Sequence, residues 1–304
     1  PGTVKTSEAL VGHNGAVRLV PLSGGPSREF VAAPAGSQGY SSWAISGSRE
    51  EVIVGWYRRA GGRVEEVSIR SKSAFSGRQH AEWPIPVRAG DSRVRKLGFL
   101  PRHNQIWFLS GGKLRQIDIK SSLISDLPFR GPEGRGEVQA PDFVTCAAFS
   151  PVSGKLAYAR KGGATVVTGL ASGRNESSIR QRTVLVPGST RDADGEVVEG
   201  RVRSMAWTSE DVLAVLVERP GPSRPTAVYL VTGTGGAARV RLAVEPPSGG
   251  RFTDISAAPS GSRFALLFEA DPAAGLRDSV FVYGAGGRFS RKVGLGPGSW
   301  SPPL

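Results

Sequence analysis

The stretch Cys146-Ala147-Ala148-Phe149-Ser150-Pro151, followed by Gly154-Lys155-Leu156-Ala157-Tyr158, decides how the rest of the chain reads. An apolar residue, a small one and a large apolar one run into a Ser-Pro turn, and an apolar strand follows. The pattern recurs at Trp43-Ala44-Ile45-Ser46-Gly47, Leu97-Gly98-Phe99-Leu100-Pro101, Met205-Ala206-Trp207-Thr208-Ser209 and Ile255-Ser256-Ala257-Ala258-Pro259, and again at Gly298-Ser299-Trp300-Ser301-Pro302. One aligned column is always small: Ala44, Gly98, Ala148, Ala206, Ser256 and Ser299. Four residues earlier the column is always apolar: Tyr40, Val94, Val144, Val202, Phe252 and Leu295.

Turn positions 46, 100, 150, 208, 258 and 300 lie 42 to 58 residues apart, near the length of one four-stranded propeller blade. Each turn is followed by further strand-like stretches. Around residue 93 these are Arg93–Leu100, Gln105–Leu109, Leu114–Ile119 and Ser122–Leu127, with Gly111-Gly112 as the tight turn between the second and third. No segment carries a sustained helical period with caps. The last copy supplies a first strand, and the chain opens with what reads as a second (Ser7–Val11), a third (Ala16–Pro21) and a fourth (Arg28–Ala32). Sharing one blade between the chain ends removes two open sheet edges. The expectation is an all-β, six-bladed β-propeller of four-stranded antiparallel blades, closed by the N- and C-terminal strands. It forms one domain over residues 1–304, with blades starting near 38, 93, 143, 201 and 251, and the last made of 294–304 plus 1–34. The small column is assigned to crowding of each first strand against the neighbouring blade.

Phe149-Ser150-Pro151 with Gly154-Lys155-Leu156-Ala157-Tyr158 resembles the signature of TolB-like, WD-like bacterial propellers, with Val152-Ser153-Gly154 in place of the usual Asp-Gly. Met205-Ala206-Trp207 with Val212-Leu213-Ala214-Val215-Leu216, on an Arg-, Ala- and Gly-rich background, is similar to the propeller of actinobacterial LpqB-type lipoproteins. The first resemblance implies a fold and no particular chemistry. The second implies an accessory to signalling at the cell envelope, anchored through a segment upstream of Pro1. The alternative compartment is the cytoplasm.

The 304 residues include 39% hydrophobic ones, enough for a core, yet no apolar run reaches the length of a membrane helix. Gly (41) and Pro (22) are spread along the chain, which reads as many turns rather than a disordered tail. Cys146 is the only cysteine, so no intrachain disulfide forms. It stands in an inner strand that wants a small apolar side chain. His13, His80 and His103 fall in different blades without ligand spacing, and no serine-hydrolase elbow is present. Asp192, Asp194, Glu196 and Glu199 read as a mobile loop, and Asp254 as an inner-strand carboxylate bonded to a neighbouring loop. Catalytic residues, metal ligands and cofactors are therefore assigned to none.

The net charge of +13 favours anionic partners. Arg93, Arg201 and Arg251 stand seven residues before a turn, and Arg95 and Arg203 five before. Loops joining second to third strands add Arg58, Arg59, Arg63, Arg160, Lys161, Arg219 and Arg224. On the propeller reading these ring one mouth of the channel, and an arginine fork suits carboxylate or phosphate. Asp91, Glu133, Glu137 and Glu218 offset part of that charge. The partner expected is a protein, with an anionic ligand or surface as a second option. Nucleic acid is disfavoured because basic and aromatic residues do not interleave. The competing function is a lactonase- or dehydrogenase-like propeller enzyme acting on a small molecule at the channel mouth.

Overall fold

The computed structural model describes residues 8–13, 16–23, 25–46, 48–87, 93–100, 105–127, 129–130, 137–138, 143–150, 155–160, 163–168, 180–221, 225–233, 237–258, 260–295 and 300–301. Six four-stranded antiparallel sheets account for most of them. One short 3₁₀ turn, Pro272–Ala274, is the only helical element among the described residues.

Blade 1 joins Trp300–Ser301 to Glu8–His13, Ala16–Pro21 and Arg28–Val31. Blade 2 runs Gln38–Ile45, Glu51–Ala60, Arg63–Ser73 and Gln79–Pro84, and blade 3 runs Val94–Phe99, Gln105–Ser110, Lys113–Asp118 and Ile124–Asp126. Blade 4 comprises Cys146–Phe149, Leu156–Arg160, Gly163–Thr168 and Arg180–Leu185. Blade 5 comprises Arg201–Trp207, Val212–Glu218, Thr226–Thr232 and Arg239–Val244. Blade 6 comprises Gly250–Ala257, Arg263–Ala270, Ser279–Gly284 and Phe289–Gly294. This is the strand order of a six-bladed β-propeller whose chain ends share a blade. The shared pairing sets Gly12 opposite Ser301 and His13 opposite Trp300.

The chain forms two compact units. Blades 1–3, including Trp300–Ser301, make the first, and blades 4–6 make the second together with a two-stranded ribbon, Phe129–Arg130 with Glu137–Val138. Consecutive blades within a unit share a hydrophobic core. Leu10, Val17 and Leu19 of blade 1 pack with Trp43, Val52 and Val54 of blade 2. Ile53 and Ile69 pack with Val94, Ile106 and Phe108 of blade 3. In the second unit Ala148 and Ala157 meet Met205, Trp207 and Val215, while Ala214 and Leu216 meet Phe252, Phe264 and Phe268. Second strands are buried on both faces, which is why residues 212–217 of Val212–Glu218 read as an unbroken apolar run.

First strands of successive blades lie against one another, Gln38–Ile45 on Val94–Phe99 and Arg201–Trp207 between Cys146–Phe149 and Gly250–Ala257. The small column has two causes. At Ala148 the next blade does press in, and the indole Nε1 of Trp207 donates to the Ala148 carbonyl at 3.0 Å. At Gly98 the limit comes from within the blade, since a Cβ there would sit 2.6 Å from Nε1 of Trp107, its ladder partner. Close approach between blades also fixes Gly55, where a Cβ would lie 2.9 Å from that of Val94.

Repetition alone does not announce one further regularity. In blades 2, 3, 5 and 6 the first strand carries a bulge directly after the apolar column, leaving Ser41, Arg95, Arg203 and Thr253 as the extra residues. A bulge bends and twists its strand and re-aims the side chain it carries.

Candidate functional site: arginines at the starts of the inner strands

In blade 5 the ladder sets Arg201 directly opposite Glu218. The extra residue of the bulge, Arg203, reaches the same carboxylate. Arg201 Nη2 donates to Glu218 Oε1 at 3.0 Å and Arg203 Nη1 to Oε2 at 2.9 Å. The carboxylate is 8% exposed, whereas the two arginine side chains are 61% and 40% exposed. A buried carboxylate without partners would be costly. Here both oxygens accept from charged donors, and both arginine side chains stay largely exposed. Beside this pair Arg219 donates through Nη1 to Glu245 at 2.6 Å and through Nη2 to the Tyr229 hydroxyl at 3.0 Å.

Blade 6 repeats the pairing: Arg251 is the ladder partner of Glu269 and donates to it through Nε at 2.9 Å. In blades 2 and 3 the arrangement differs. Arg93 and Arg59 flank the Tyr57 ring, at 5.8 and 5.3 Å from its centroid. Arg58 is tied to Glu66, whose hydrogen bond and charge raise the guanidinium pKa. Arg95, on the bulge of blade 3, is exposed. The structure thus brings Arg201 and Arg203 together on one carboxylate and Arg59 and Arg93 around one aromatic ring. Arg63 and Arg160 are exposed, while Lys161 and Arg224 lie outside the described residues, as do Asp91 and Glu133.

Two readings change. Asp254 accepts a hydrogen bond from the Ser204 hydroxyl, on the first strand of the adjacent blade, and another from the backbone N–H of Ile255 at 2.7 Å. Its partner is therefore a neighbouring strand rather than a loop, because bulges in both strands bring the two side chains together. The acidic loop after Leu185 is built rather than mobile. Asp192 Oδ1 accepts from the N–H groups of Asp194 and Glu196, both at 3.0 Å, and Val198 is fully buried in the core of blades 4 and 5.

Cys146 is buried at 2% exposure. His80 is exposed on the outer strand of blade 2, the side chain of His13 is not described, and His103 lies outside the described residues. Among the described residues no three His, Cys, Asp or Glu side chains gather as a metal site would need. No helix there is long and apolar enough to cross a membrane.

No family model matches the chain, and no curated protein matches it. Solved structures do. A functionally unknown protein from Desulfotomaculum acetoxidans DSM 771 aligns with a TM-score of 0.51 at 10% identity, covering 94% of this chain and 84% of that one. The likeness is one of fold. U3-55K aligns at 0.48 with 13% identity over 86% of this chain and 84% of its own. The RRP9 WD40 repeats align at 0.48 with 12% identity over 86% and 83%.

Proposed function

We propose that the protein is a non-catalytic binding propeller that offers arginines at the starts of its inner strands to an acidic protein partner. The observation that carries this is the Arg201–Glu218–Arg203 cluster. A buried carboxylate orients two largely exposed guanidinium groups, so their outward donors are held in place before a partner arrives. Pre-orientation lowers the entropy lost on binding, and forked donors match carboxylates. On the adjacent blade Arg251 pairs with Glu269, there a half-exposed carboxylate, and Arg93 and Arg59 around Tyr57 supply an aromatic and cationic counterpart in the first unit. Resemblance to LpqB-type propellers adds a place for this binding, beside a signalling partner at the cell envelope.

The test is retention of the purified chain on immobilised polyglutamate across a salt series. Neutralising Arg93, Arg201 and Arg251 together to Gln should lower the eluting salt concentration clearly more than neutralising the exposed Arg78, Arg191 and Arg277, which removes equal charge. Equal losses from the two triple variants would reduce the arginine pattern to diffuse surface charge.

A further inference from the structure

Blade 4 departs from the arginine pattern at one position. Seven residues before the turn, blades 2 to 6 carry Gly39, Arg93, Phe143, Arg201 and Arg251. Blade 2 requires glycine there, because a Cβ at Gly39 would lie 2.5 Å from the Tyr57 hydroxyl oxygen. Blades 3, 5 and 6 place an arginine. Blade 4 places a phenylalanine, and Phe143 is 84% exposed. Its φ of 62° is left-handed, a conformation that glycine adopts freely and a bulky side chain does not. Folding therefore gains almost no burial from this ring and meets a cost in its backbone. Strain held at an exposed aromatic residue points to a use outside the fold.

The neighbours of Phe143 point to the kind of partner. The Thr145 N–H donates to the Ala159 carbonyl at 2.9 Å, so the exposed Arg160 follows on the second strand at the same end of the blade. On the other side stands blade 5. Its first strand lies against Cys146–Phe149, and the Trp207 bond to the Ala148 carbonyl ties the two strands at their turn ends. Phe143 and the Arg201–Glu218–Arg203 cluster therefore stand at the starts of adjoining strands. Arg160, Arg201 and Arg203 outnumber Glu199 and Glu218 at this end, while Arg219 and Glu245 cancel each other.

Facing sheets pack about 10 Å apart, a span of about three extended residues. One peptide can therefore set a ring on Phe143 and carboxylates on Arg201 and Arg203. Aromatic rings and arginines are the usual anchors of protein interfaces. A single ring suits such an anchor, whereas a membrane footing needs a broad apolar face. We propose that the acidic partner carries an aromatic side chain about three residues from its carboxylates, and that this ring docks on Phe143. The proposal rests on the reading that Arg201 and Arg203 take an acidic segment, and it adds the residue that makes the site selective.

Two fluorescein-labelled peptides, titrated against the full chain at low salt by fluorescence anisotropy, separate the two readings. One is Gly-Glu-Glu-Gly-Gly-Trp-Gly, and the other has Ala in place of Trp. The Trp peptide should bind about fivefold more tightly than the Ala peptide. Phe143→Ala should erase that advantage and leave the Ala peptide unchanged. Phe143→Gly should erase it too while raising the urea midpoint, since glycine relieves the left-handed backbone. Arg201→Gln with Arg203→Gln should weaken both peptides about tenfold. Equal binding of the two peptides, or a Trp advantage that survives Phe143→Ala, would overturn this proposal and leave the arginine reading standing. Failure of both peptides to bind, or binding indifferent to the arginine variants, would remove the arginine reading and this proposal with it. Binding to phosphatidylglycerol vesicles that depends on Phe143, with no advantage for the Trp peptide, would overturn it by giving the ring to a membrane.

Discussion

Blades 2 and 6 are built from the same four-strand plan, yet their outer strands resolve charge in contrary ways. On blade 2, Glu82 accepts hydrogen bonds from Ser68 at 2.7 Å, Arg70 at 2.9 Å and Gln79 at 3.1 Å. Arg70 lies flat on Trp56, 3.8 Å from the ring centroid, and the Trp56 indole donates to Gln38. Arg70 and Glu82 find each other inside the blade. On blade 6 the third strand, Ser279–Gly284, is wholly uncharged, and Lys292 of the outer strand lies over the rings of Phe281 and Phe268. The difference teaches that an edge is closed or open according to what the third strand places beneath it. The backbone plan is identical, but a polar third strand offers the edge ion pairs, whereas an apolar one offers Lys292 aromatic rings.

The largest expected effect tests how far blade 2 depends on its internal stack. Trp56 is buried, so Trp56→Ala should cost about 3–5 kcal/mol in urea unfolding. Phe289→Ala, at the exposed edge of blade 6, should cost less than about 1 kcal/mol. Similar losses would erase the distinction between a closed and an open edge.

A smaller effect concerns pH. Burial pushes the Glu82 carboxyl upward, but the hydrogen bonds from Ser68, Arg70 and Gln79 and the charge of Arg70 outweigh it, and its pKa falls below the ordinary value of 4.5. A lowered folded-state pKa stabilises the protein at pH above the unfolded-state value and loses that contribution as pH falls through the folded one. The wild type should therefore exceed Glu82→Gln by about 0.5 kcal/mol near pH 6, as for partly exposed pairs. The gap should close as the solution is acidified past the lowered pKa. A gap that stays constant with pH would mean that packing, and not ionisation, holds this edge.

The smallest effect belongs to blade 6. Removing the exposed charges with Arg291→Ala and Lys292→Ala should leave stability within about 0.5 kcal/mol of wild type, read as an unchanged denaturant midpoint. A larger loss would show that those cations already serve the fold.

Much of this architecture was legible in the linear chain because propeller blades are local. Apart from the closing pair of Trp300–Ser301 with Glu8–His13, each strand pairs with a sequence neighbour, so the alternation, the turn and the small column at Ala148 and Ala206 all lie within one repeat. Strand limits show it: Ala16–Pro21 was read as it stands, and the third blade departs by at most two residues at any end. The bulges were hidden because an extra residue leaves no compositional mark. Arg203 in sequence is simply five residues before a turn, and only the ladder shows that it is the extra residue, carried onto the carboxylate of Glu218. Asp254 was misjudged for the same reason, its partner Ser204 standing 50 residues away on the next blade.

By itself the sequence determined the number of blades, their order and the sharing of one blade by the two chain ends, since these follow from period and polarity along the chain. Only the tertiary structure decided which charges cancel. Whether Arg201 meets Glu218, or Lys292 meets the rings of Phe281 and Phe268, depends on ladder register and bulge position. Electrostatic partnership is settled by distances of a few ångströms across strands, and the linear order of residues does not contain those distances.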